Sequence, residues 1–289
     1  MLAITKKELR TYFTSFPGYI FLAGFILLIA LFFYIFNITG QSSSFMLTLA
    51  NPNTLMVFLV LIPILTMQLF SEEVKHRTDQ LLFTSPITIP QIVLGKYIGA
   101  FCLFIIGMAV TLVFPVILSF YGSVSFAETL GTYLGFILLG ACFIAVGMFV
   151  SCLTNNTIVA GVGSFAVLFF FYIMDAIASS MPTDRLSSAV FLSLLAIGVS
   201  FIIYDATKNI FAGLIFIALA AVAGIILYFT VPMFYDAVIF QVVSWFSVFR
   251  RFVPFAMGVL SVSDVVYYLV FAFAFIYLTI NTLEKRRWK

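Results

Sequence analysis

Charge is scarce in this chain of 289 residues. Lys and Arg number 14 and Asp and Glu 11, together 9% of the sequence, against about 25% in an ordinary soluble domain. Hydrophobic residues make up 64%. There is too little charge to coat a globule of this size, which excludes a soluble enzyme and leaves lipid as the main solvent. Histidine is almost missing. His76 alone excludes most His-based metal sites and a His-based catalytic triad within the membrane. Cysteine is sparse and odd in number. Cys102, Cys142 and Cys152 all lie in apolar runs and read as small buried hydrophobes, not as a disulfide framework. A net charge of +3 is too small to point to nucleic acid. No G-x-x-x-x-G-K-S/T pattern occurs, so the chain carries no phosphate-binding loop of that type.

What is present is a series of long uncharged stretches, residues 11–71, 97–127, 129–174, 186–204, 209–235 and 265–283. About 20 apolar residues cross a bilayer core as a helix. Cutting at polar, Gly, Asn and Pro punctuation predicts spans near 18–37, 54–71, 94–120, 128–153, 157–177, 187–204, 209–231 and 264–282. The expectation is an all-α polytopic membrane protein of about eight transmembrane helices, a single membrane domain over 1–289. The short break at Thr154, Asn155 and Asn156 predicts a tight helical hairpin.

The charges then set the orientation. Lys6, Lys7, Arg10, Lys75, Arg77, Lys96, Lys208, Lys285, Arg286, Arg287 and Lys289 fall on one side, and only Arg185, Arg250 and Arg251 on the other. The positive-inside rule places both termini in the cytoplasm. The first apolar run is long and lacks a small-residue cleavage site, so it reads as an uncleaved span.

Two segments are not simple spans. Residues 1–17 predict an interfacial helix, with Leu2, Leu9, Tyr12, Phe13 and Phe16 on an apolar face and Lys6, Lys7, Glu8 and Arg10 on a polar one, ended by Pro17. Thr5 and Glu8 have the spacing of a capping box. Residues 232–263 are apolar but interrupted by Asp236, Gln241, Arg250, Arg251 and Pro254. They predict an external re-entrant or interfacial segment, with Trp245, Phe246, Phe249 and Phe252 in the headgroup zone.

The spans offer little chemistry. Glu128 and Asp175 sit at span ends, so no ion-coupling relay is evident, and any energy for active movement comes from elsewhere. Gly135, Gly140 and Gly147, with Ala141 and Ala145, mark a close-approach face, either a dimer seam or internal packing. The 37 Phe residues suit helix packing, and equally a lipid or amphipathic cargo.

The most informative stretch joins spans two and three, SEEVKHRTDQLLFTSPITIPQIVLGK, Ser71 to Lys96. A charge cluster, a short apolar run and two prolines fit a short helix parallel to the membrane, able to take force from a cytosolic partner, and equally a solvated loop that only fixes topology. This stretch resembles the signature of ABC-2 type transporter permeases, the membrane subunits of bacterial ABC exporters. Glu72, Glu73, Thr78, Leu81, Leu82, Ser85, Pro86, Gly95 and Lys96 carry the resemblance, with Arg77 where the family has Gly and Asp79 displaced by one position. The C-terminal stretch resembles the gliding-motility-type subgroup, through Gly258, Val259, Asp264, Val265, Tyr267, Tyr268, Glu284, Lys285, Arg286 and Arg287. Glu72-Glu73-x-x-x-Arg77 also matches the first motif of CAAX-type intramembrane proteases, but their two later histidine motifs are missing.

The resemblance implies a six-span core, to which residues 187–231 add a helical hairpin. It implies a permease in a bacterial plasma membrane, paired with a second copy or a homologous permease and seated on two separate ATPase subunits. Those subunits would bind ATP and Mg, and this chain no cofactor. The segment 72–93 would hold the coupling helix. Arg77, Thr78, Asp79, Leu81, Leu82, Ser85 and Pro86 would meet the ATPase, and Glu72, Glu73 and Lys96 would anchor that helix. An alternative is a non-transporting scaffold or sensor subunit built on the same helix.

Overall fold

The computed structural model describes residues 2–76, 87–182, 184–207 and 238–287, with single helical positions at Phe211, Phe216, Ala218 and Leu219. Among the described residues the regular structure is helical, without strands. Among the described residues, six helices are long and apolar enough to cross a membrane: Phe16–Thr39, Pro52–Lys75, Ile89–Ser119, Phe126–Leu153, Thr157–Ser180 and Val262–Arg286. Each falls on a span expected from the sequence. The expected span at 187–204 lies on a helix, Arg185–Thr207. Its partner at 209–231 lies outside the described residues apart from those single positions.

The chain divides into two compact units. The first comprises Met1–Tyr172 and Val248–Lys289. It opens with α1 (Leu2–Thr14), then α2 (Phe16–Phe33). Ser15 between them is extended, and Pro17 sits at the start of α2, where its missing N–H costs nothing. A stripe at four-residue spacing, Phe21, Phe25, Ile29 and Phe33, is buried, while Leu27 and Leu31 are exposed, as expected of a helix facing lipid on one side. A π-helical turn, Tyr34–Thr39, and α3 (Met46–Leu49) lead to α4 (Pro52–Thr66), which Asn51 caps by accepting from Asn53 N at 3.0 Å. After a turn comes α5 (Ser71–Lys75). Next, α6 (Ile89–Thr111) begins in a capping box between Thr88 and Gln91, and α7 (Val113–Ser119) continues it.

The central element is α8 (Phe126–Leu153). Its glycines face inward. A Cβ on Gly140 would stand 2.3 Å from the Phe104 ring, one on Gly147 2.2 Å from Thr66 Oγ1, and one on Gly135 2.7 Å from Phe255 Cβ. The small-residue face is therefore internal packing between helices, not a free seam. Phe58 of α4 sits among Phe136 (4.6 Å between ring centres), Phe104 (5.6 Å), Phe143 (5.9 Å) and Phe25 (6.1 Å). These phenylalanines fill the core. Only three residues separate α8 from the next helix, α9 (Thr157–Ser180). Asn156 Oδ1 caps it by accepting from Ile158 N at 2.9 Å, which gives the tight hairpin.

The second unit, Ile173–Ser247, holds the end of α9, then α10 (Arg185–Thr207) and α11 (Val238–Trp245). Ser247 Oγ donates to Asp175 there at 3.4 Å.

Back in the first unit, α12 (Phe252–Ala256) and its flanks run antiparallel to α8. Phe249 lies against Phe143, Phe252 against Phe136, and Gly258 beside the backbone of Ala127 and Glu128. Phe249 and Phe252 are buried, unlike the exposed Trp245 and Phe246. That corrects the headgroup placement expected for the first pair, because their rings complete the core around α8. The last helix, α13 (Val262–Arg287), packs along α8. At its start Asp264 pairs with Arg251 at 2.8 Å, and the Arg251 guanidinium lies 4.2 Å from the centre of the Tyr267 ring.

Candidate functional site

Three elements meet around Lys96. On α1 the buried stripe is Ile4, Glu8 and Tyr12, one residue per helical turn. This overturns the expectation that Glu8 shares the polar face with Lys6 and Lys7: its carboxylate points into the bundle, and Leu2, Phe13 and Phe16 are left exposed. Nor do Thr5 and Glu8 form a capping box. Thr5 lies inside α1, and its hydroxyl donates to Gly95 O at 3.2 Å. Close approach of α1 to α6 depends on Gly99, where a Cβ would stand 2.8 Å from Glu8 Cβ.

Lys96 is buried. Its ammonium lies 2.9 Å from Glu73 Oε1 on α5 and 3.1 Å from Glu8 Oε1 on α1. It also donates to Leu69 O at 2.7 Å and sits 5.1 Å from the centre of the Phe70 ring. Such charge-assisted bonds are short and directional, and together they offset the cost of burying the charge. Lys7 lies 3.6 Å from Glu73 at the exposed edge. Tyr12 donates to Leu65 O at 3.0 Å. Burial, and then the neighbouring Glu8 carboxylate, push its phenol far above the ordinary tyrosine range, so it stays a donor.

A second fastening holds the α4–α5 turn. Ser151 of α8 accepts from Phe70 N at 3.1 Å and Ser71 N at 3.2 Å, and donates to Met67 O at 3.0 Å. That exhausts the capacity of one hydroxyl. Beside these contacts opens a cleft of about 300 Å³, bordered by Thr11, Gln68, Glu72 and His76 as well as the ion cluster.

Of the residues expected to anchor the coupling segment, Glu73 and Lys96 are brought together, while Glu72 remains exposed on the cleft. Arg77, Thr78, Asp79, Leu81, Leu82, Ser85 and Pro86 lie outside the described residues. The sequence reading missed Glu8, Tyr12 and Ser151 as contributors. A signal for Glu8 existed, since it is the acid in the stripe Ile4–Glu8–Tyr12. Ser151 had none, because a serine in an apolar helix does not announce its partner. Among the described residues no group of three His, Cys, Asp or Glu could hold a metal ion.

The sequence matches the model of one protein family, described as ABC-2 family transporter protein, over residues 36–191. That range contains Glu73, Lys96 and Ser151 and leaves out α1 and α13. No curated protein and no solved structure matches the chain.

Proposed function

The chain belongs to the ABC-2 family of transporter proteins and is a membrane permease component of an ABC-type transporter; from that premise we propose that it is the membrane subunit of an exporter driven by separate ATPase chains. Two ATPase subunits, which bind ATP and Mg, dock on residues 77–86 of a pair of permeases in a bacterial plasma membrane. Both termini of this chain face the same cytoplasm. Placement in the gliding-motility-type subgroup is part of the proposal and rests on residues 258–287, outside the matched range.

The observation that supports this reading is the Lys96 junction. The segment 77–86 leaves α5 and returns to α6, and Lys96 ties those two elements to each other and to α1. A push on the segment is thereby delivered to three helices at once, and Ser151 passes it to α8. Packed elements with two arrangements transmit such displacements without a continuous deformation.

Co-expression with a candidate ATPase, copurification and ATP turnover in lipid test the proposal. A stable complex with permease-dependent turnover is expected, and Leu82→Glu abolishes that dependence while leaving the helical content intact. Unchanged turnover in Leu82→Glu removes the docking assignment. Labelling of Lys289→Cys from outside intact cells overturns the orientation.

A further inference from the structure

At the end of the first unit away from Lys96, α2 does not finish as an α-helix. It widens into the π turn Tyr34–Thr39, a feature that recurs at functional sites. The chain then reverses through Gly40 and Gln41, and Gln41 has φ +50°. Among the described residues no other non-glycine adopts a positive φ. Left-handed backbone costs energy wherever a Cβ is present, and it persists only when the surroundings enforce it.

The enforcing residue is Asn37, which is 3% exposed. Its amide donates to Ser42 O and Ser44 O, each at 2.9 Å, and its carbonyl oxygen accepts from the Thr48 hydroxyl. The Ser44 hydroxyl donates to Glu128 at the start of α8. The loop is thus built from the inside, yet the side chain of Gln41 is exposed and fills no core position.

Gln41 borders a cavity of about 430 Å³ between this loop and the end of α7, within the size range of small-molecule sites. Phe33, Ile117 and Leu118 supply apolar lining, and Gln41, Ser43 and Tyr121 supply an amide and two hydroxyls. No residue of the lining is charged. The cavity opens onto apolar surface, since Ile38 at its edge and Phe120 beside it are exposed. A ligand matching this lining has a hydrocarbon part and a neutral hydrogen-bonding part. A phosphate or ammonium headgroup would lose hydration there without gaining a counter-charge.

We propose that this cavity binds the uncharged, hydroxyl-rich headgroup of a membrane amphiphile, of the glycosyl diacylglycerol kind. The Gln41 amide and the Ser43 and Tyr121 hydroxyls hydrogen-bond the headgroup, and the first part of the hydrocarbon lies along Phe33 and Ile117. The left-handed strain at Gln41 is what holds its amide beside the cavity. This site does not depend on the transport reading.

Native mass spectrometry of the purified full chain in detergent, titrated with lipid, tests it. Glucosyl diacylglycerol should bind at least about tenfold more tightly than phosphatidylglycerol with the same acyl chains. Maltose, which has the hydroxyls but no chain, should not displace it. Gln41→Gly keeps the backbone conformation and removes the amide, and Tyr121→Phe removes one hydroxyl. Each should weaken binding about fivefold, the worth of one hydrogen bond. Equal binding of the two lipids overturns the proposal. So does displacement by maltose, or parent-like binding by the combined variant. If the variants do not fold, the lipid preference of the parent chain still decides.

Discussion

The ammonium of Lys96 lies 3.1 Å from the carboxylate of Glu8, a contact across 88 residues of sequence that fastens the first helix to the third membrane-crossing one. Glu73 completes the cluster from α5 at 2.9 Å. The three side chains are not equivalent, because the cation serves both carboxylates, whereas each carboxylate shares the cation.

Lys96→Met therefore leaves two mostly buried carboxylates with only Lys7 at the exposed edge, 3.6 Å from Glu73 and 4.0 Å from Glu8, and should cost about 3–5 kcal/mol. Glu8→Gln leaves Glu73 on the lysine and should cost less than half as much. Thermal melting of the purified chain in lipid nanodiscs reads both. Equal losses in the two variants would show that Glu73 does not share the lysine.

Ser151→Ala deprives the backbone N–H groups of Phe70 and Ser71 of their acceptor and should cost about 1–3 kcal/mol. Under the transporter reading, it should also lower permease-dependent ATP turnover more than Cys102→Ser, a change at a partly exposed thiol of α6. Amide hydrogen exchange at residues 67–71 gives a direct check, and it should accelerate only in Ser151→Ala.

Tyr12 contributes a pH-dependent stability. Its phenol titrates higher in the folded protein than in the unfolded chain, whose value is about 10. Above that pH the unfolded chain loses the proton while the folded one keeps it, so the contribution is complete below about pH 10 and is lost as the pH rises towards the folded value. Tyr12→Phe should melt lower than the parent at pH 8, by about 1 kcal/mol for the lost bond to Leu65 O. The gap should narrow at pH 11. A gap that widens with pH contradicts the burial of this phenol.

Gly140→Ala should be strongly destabilising, because the added Cβ meets the Phe104 ring at 2.3 Å and the ring is itself packed on three sides by Phe25, Phe58 and Phe136. At Gly198 of α10 a Cβ meets nothing within 4 Å. Gly198→Ala should be neutral or stabilising by up to about 1 kcal/mol, the helix-propensity difference. Comparable melting of the parent and Gly140→Ala would mean that α8 does not pack through its glycines.

Much of the fold is legible in the sequence because the bilayer imposes a length. An uncharged run of sufficient length has one stable state in hydrocarbon, a helix with its backbone bonds satisfied internally. Hence the six helices from Phe16–Thr39 to Val262–Arg286 fall where the charge-free runs lie. The tight turn at Asn155 and Asn156 and the family-like stretch at Ser71–Lys96 are likewise readable, since both are local in sequence.

What composition and charge patterning determined, then, is an all-helical membrane protein and the places of the six long apolar helices among the described residues, and a resemblance to a known family marked the stretch that joins two of them. The tertiary structure alone decided which side chains meet. It turned Glu8 inward onto Lys96, spent the Ser151 hydroxyl on the α4–α5 turn, set the α8 glycines against Phe104, Thr66 and Phe255, and held Gln41 left-handed beside a cavity. Burial in lipid depends on each residue's own polarity, which a sequence displays. Pairing depends on the rotation and crossing of helices distant in the chain, and those follow from close packing of the whole set of side chains at once.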